Sequence, residues 1–135
     1  MNSDRIKQTI LDNAAEIVRL SQQLHETRKQ RELSPEKWSE WQQVYTGSYE
    51  RYLSLAFPGG LDGAYERIVS GYPEAMEAAI CFLELRPYYF RSGYMFEDIL
   101  RKCKHAPLSP EQVARLEVVK EKLAEWKRQK RLQTN

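Results

Sequence analysis

The chain has 135 residues, of which 41% are hydrophobic and 30% charged, and a formal net charge of +2. A chain of this length suits one domain and buries roughly two-thirds of its unfolded surface, so it needs neither metal nor disulfide to fold. Eight Tyr, four Phe and three Trp argue against disorder, and so small a net charge does not by itself imply a nucleic-acid or membrane partner.

The first helix is expected to start at Ser3 or Asp4, either of which could cap it. Ile6, Ile10, Asn13, Ile17, Leu20 and Leu24 share one face, widened by Leu11, Ala14 and Val18. The charged run from His25 to Glu32 is expected to fray. Leu33-Ser34-Pro35-Glu36 then reads as a helix start, with Ser34 as N-cap and Pro35 at the first position, which has no use for an amide N–H. The second helix carries Trp38, Trp41, Tyr45, Ser48, Tyr52 and Leu55 on one stripe, and a stripe so regular is expected in the core. Gly47 within it costs about 1 kcal/mol relative to alanine and suggests close backbone approach.

Phe57-Pro58-Gly59-Gly60 ends that helix. The loop up to Gly63 lacks the lysine and hydroxyl of a phosphate cradle, and Asp62 is expected to cap a short third helix closed by Gly71. Tyr72-Pro73-Glu74 opens the most apolar segment, Ala75–Leu85. At about 100° per residue, Glu74, Glu77, Cys81 and Glu84 fall on one narrow stripe, and the rest of the circumference is apolar. Such a helix belongs at the centre of a fold. Arg86-Pro87 ends it. Ser92 is expected to cap the next helix, which places Met95, Phe96, Ile99, Leu100 and Cys103 inward and Tyr94, Asp98, Arg101 and His105 outward. Leu108-Ser109-Pro110-Glu111 repeats the start signal, and Gln112 completes a capping box with Ser109. Leu116, Val119, Leu123 and Trp126 follow on one face.

The expected fold is all-α: a single compact domain of five or six helices, a bundle or a short helical-repeat-like stack. Residues 1–126 form the helical domain and 127–135 a basic, frayed tail. Two cysteines form no secreted scaffold, and the first residues lack the apolar segment of a signal peptide. No apolar run is long enough to span a bilayer. A cytoplasmic location is the expectation.

Chemistry-bearing motifs are sparse. The spacing of His25, His105, Cys81 and Cys103 does not suit a metal, so neither metal nor cofactor is expected. Glu77 and Glu84 beside Cys81 would disfavour its thiolate. No pair of carboxylates has a spacing specific to acid–base work, and catalytic residues are not assigned.

The remaining feature is an aromatic-basic region. Arg86, Tyr88, Tyr89, Arg91, Tyr94, Arg101 and His105 are its candidate partner-binding residues, with Phe90, Lys102 and Lys104 among them. Tyrosine and arginine are enriched at interface hot spots. The expected function is therefore that of a non-enzymatic binding or adaptor protein that docks a protein partner. RNA or single-stranded DNA binding by the same surface and the basic tail is the alternative. A toxin-neutralising immunity-type role or an enzyme of unselected class follows, the former by analogy with small helical bacterial proteins. A structural reading also stands, in which Tyr88, Tyr89 and Phe90 close the core while Arg86 and Arg91 pair Glu74, Glu77 or Glu84. Heptad-like helices would make a homodimer unsurprising.

Overall fold

A computed structural model describes residues 3–134. Among these residues the fold is all-α, with six helices and no strand: α1 (Ser3–Gln30), α2 (Pro35–Leu55), α3 (Ala64–Val69), α4 (Pro73–Leu85), α5 (Ser92–Cys103) and α6 (Pro110–Thr134). α4 is the centre. Every residue from Ala75 to Leu83 is buried, and α1, α3, α5 and α6 all pack against this helix. Ile80 and Phe82 share the core with Phe57, Ile68 and Ile99, and each such side chain contributes about 1.5–3 kcal/mol by leaving water.

The local start signals act as their chemistry dictates. Ser34 Oγ accepts from the Lys37 amide at 3.1 Å. Ser109 and Gln112 exchange backbone-to-side-chain bonds at 3.0 and 3.1 Å, which satisfies two amides that the first turn of α6 would leave unpaired. Other boundaries differ from expectation. Ser3 and Asp4 lie within α1 rather than capping it, and α1 continues through the charged run to Gln30. Gly63, in the left-handed region at φ 74°, takes the cap position expected of Asp62. The Arg67 guanidinium instead closes that loop by donating to the carbonyls of Gly60 and Asp62. The basic segment after Trp126 continues as helix as far as Thr134.

The aromatic stripe of α2 is not in the core. α2 buries no residue fully, because its backbone packs on α1 alone among the helices. A helix with one neighbour cannot be enclosed. Trp41, Val44 and Tyr52 are half-buried, and Trp38, Tyr45 and Tyr49 stay exposed. Arg31 lies 4.9 Å from the Trp41 ring centre, while the buried indole N–H of Trp41 finds no acceptor among the described residues. Leu11 and Val18 are likewise exposed, so the inward face of α1 is narrower than its sequence suggests.

Gly47 permits no close approach: a Cβ there would meet nothing within 4 Å. Gly47→Ala is therefore expected to stabilise the protein by about 1 kcal/mol, the helix-propensity difference. A circular dichroism melt should shift upward by roughly 3–5 °C. An unchanged or lowered midpoint would mean that the glycine serves a contact.

Candidate functional site: an aromatic-basic groove

α1, α5 and α6 each rest on α4, but their backbones do not approach one another. The gap between them is a groove of about 1440 Å³. Its near wall is one face of α1, including Val18, Gln22 and His25. Its far wall is α5 with its C-cap residue, including Tyr94, Leu100 and Lys104. Leu123, Trp126 and Lys127 of α6 line it as well, and residues 86–91 lie along it.

That connecting segment is bracketed by two non-glycine residues in the left-handed region, Arg86 at φ 48° and Arg91 at φ 68°. Arg86 ends α4 and Arg91 occupies the cap position of α5, which the sequence assigns to Ser92. Ser92 is buried inside the helix, its Oγ accepting from the Tyr89 amide at 3.0 Å. The two reversals fold the segment so that alternate side chains take opposite fates. Tyr89 points inward, 7% exposed, and its hydroxyl donates to the Ala56 carbonyl at 2.9 Å. Tyr88 is 93% exposed, Phe90 65% and Tyr94 74%.

Of the seven residues singled out from sequence, six line the groove: Arg86, Tyr88, Tyr89, Arg91, Tyr94 and Arg101. Tyr89 does so from a buried position whose bonds tie the segment to α2. His105 is exposed beyond the end of α5 and is not on the groove wall. The walls supplied by α1 and α6 were not legible. Val18, at the edge of an apolar stripe, and the Trp126-Lys127 pair were the available signals.

The groove carries five basic side chains (Arg86, Arg91, Arg101, Lys104 and Lys127) against two acidic ones, Glu26 and Glu97. Arg101 pairs with Asp98. Among the described residues no carboxylate lies within 4 Å of Arg86, Arg91, Lys104 or Lys127. Arg86 instead stacks against aromatic rings, 5.0 Å from the Phe96 centre and 4.5 Å from that of Trp126. Arg91 lies 5.2 Å from the Phe90 centre. Such stacking fixes a guanidinium while leaving its N–H edge free for an anion.

Neither Arg86 nor Arg91 meets the acidic stripe of α4; Arg115 of α6 does. Its guanidinium binds Glu77 at 2.8 Å and Glu84 at 2.6 Å. Ser3 Oγ and Gln112 Nε2 also donate to Glu77, at 2.6 and 3.1 Å, and Lys7 reaches Glu84 at 3.2 Å. The cluster stitches α1, α4 and α6 together. Burial alone would raise the Glu77 pKa, but the bonds from Ser3, Gln112 and Arg115 outweigh it and hold the carboxyl down at about 2. A carboxylate so firmly ionised is a poor proton shuttle at neutral pH.

Burial and then the hydrogen bond to Glu77 push the Cys81 thiol up to about 11, and burial pushes Cys103 up to about 12. Neither is an activated nucleophile. Among the described residues no three His, Cys, Asp or Glu side chains converge as a metal site would need, and no helix is long and apolar enough to cross a membrane.

Comparison with protein-family models, curated proteins and solved structures gives no match.

Proposed function

We propose that this is a non-enzymatic cytoplasmic docking protein that binds a protein partner in the aromatic-basic groove. The observation that carries the reading is the groove's composition. Apolar side chains lie between three helices, and four cations on its walls have no carboxylate partner among the described residues. Rigid rings and planar guanidinium groups bury area at little entropic cost, which is why they dominate interface energetics. Two arginines held in a backbone conformation that costs L-residues about 1–2 kcal/mol each also suit a site in which the segment's shape is the product.

The test is affinity capture from native cells, with and without nuclease, comparing the natural chain with a Tyr88→Ala/Arg91→Gly double variant. Tyr88 contributes almost nothing to the interior, and glycine is at home at the φ of Arg91, so the variant should keep its helicity. A discrete protein retained after nuclease by the natural chain and lost by the variant is the expected result. Equal retention by both, or recovery that disappears with nuclease, would overturn the reading.

A further inference from the structure

We infer that the groove receives an acidic amphipathic helix of the partner, an inference that rests on the docking reading above and specifies its occupant. The space has the shape of a missing helix. α1 and α5 stand on α4 with their backbones apart, and each presents a face to the gap, through Val18, Gln22 and His25 on one side and Tyr94, Leu100 and Lys104 on the other. A helix about 10 Å across that rises 1.5 Å per residue would place about twelve residues in a volume of 1440 Å³. The wall from Tyr94 to Lys104 is about 15 Å long at the same rise. A three-turn helix matches both dimensions.

Charge fixes the chemistry of the occupant. The apolar lining, with Val18, Leu100, Leu123 and Trp126, calls for an apolar stripe. Arg91, Lys104 and Lys127, none with a carboxylate partner among the described residues, call for Glu or Asp flanking that stripe. Arg86, held against Phe96 and Trp126, offers a preset fork for one carboxylate. Single-stranded nucleic acid fits less well. Trp126 already carries both Arg86 and Lys130 within 5 Å of its centre, so it is not a free platform for a base.

The test is selection of a displayed library of random 16-residue peptides on the full chain, with counter-selection on Tyr88→Ala/Arg91→Gly. A single-stranded RNA 20-mer is titrated in parallel. The expected consensus has apolar residues at i, i+3 or i+4, and i+7, flanked by Glu and Asp. Its synthetic peptide gains helicity on binding, and exchange of its acids for lysine weakens binding about thirtyfold or more. Groove-dependent peptides that bind extended, or without acidic residues, would sink the acidic helix and leave docking intact. Peptides held equally by the double variant, or no enrichment at all, would sink docking as well. Saturable, salt-sensitive binding of the RNA alone would move the site to nucleic acid.

Discussion

Arg115→Leu is expected to destabilise the protein by about 3–5 kcal/mol, the cost of stranding a buried charge, with the lower end favoured because the guanidinium keeps an exposed edge. The loss does not measure the strength of the ion pair. It arises because Glu77, nearly buried between α1, α4 and α6, would keep its charge and lose the cation that balances it. Glu84 would fall back on Lys7. The sign of a second substitution separates this account from simple loss of contact. In the natural chain, Glu77→Gln weakens the charge-assisted bonds from Arg115 and destabilises. In the Arg115→Leu background the same change removes a stranded charge while keeping an oxygen for Ser3 and Gln112, so it should restore stability. Urea titration of the four chains gives the cycle directly. An additive cycle would mean that Glu77 and Arg115 are not coupled.

The same pair sets the acid limb. An unfolded glutamate titrates near pH 4.3, whereas Glu77 in the fold is held down at about 2. A depressed native pKa contributes stability that is fully present above the unfolded value and lost as pH falls towards the folded one. The Glu77 contribution in the natural chain should therefore be present at neutral pH and fade as pH falls from about 4.3 towards 2, which narrows the gap to Arg115→Leu in acid.

What was legible in the chain divides along the range of the forces involved. Ser34, Ser109 and Gln112 bond within their own first turns, so their roles follow from a few neighbouring letters. The central place of α4 follows from the width of its apolar surface. The aromatic stripe of α2 misled because periodicity reports that a helix has an inward face, not how many neighbours will cover it. With α1 the one helix whose backbone lies against it, Trp38 and Tyr45 stay at the surface. Partners remote in sequence were harder still. The acidic stripe of α4 demanded a cation, and Arg86 and Arg91 were nearest along the chain. The αL turn at Arg86 sends that side chain towards Phe96 and Trp126 instead, and leaves the carboxylates to Arg115 of the last helix. The groove was half legible for the same reason. Its segment and its α5 wall are continuous in sequence, whereas the other walls come from α1 and α6.

Tyr89→Ala is expected to cost about 3–5 kcal/mol, as for other large buried rings, whereas Tyr88→Ala should change stability by no more than about 0.5 kcal/mol. The two tyrosines are adjacent and were equivalent as sequence. Tyr89 packs edge-on to Tyr52 with ring centres 6.3 Å apart, donates to Ala56 at the end of α2, and lies 3.5 Å from the Met95 sulfur. Its removal opens a cavity and leaves a buried carbonyl without its donor. Tyr89→Phe isolates the second term and should cost about 1 kcal/mol. Partner binding should follow the opposite order once folded protein alone is counted. Tyr88→Ala should lose affinity at unchanged stability, because an exposed rigid ring has little use but contact. Tyr89→Phe should bind almost normally, because its hydroxyl is spent on the interior. Full affinity in folded Tyr88→Ala would remove that ring from the interface. Lost affinity in folded Tyr89→Phe would mean that the Ala56 bond sets the shape of the segment from Arg86 to Arg91, and that the partner reads this shape rather than the rings themselves.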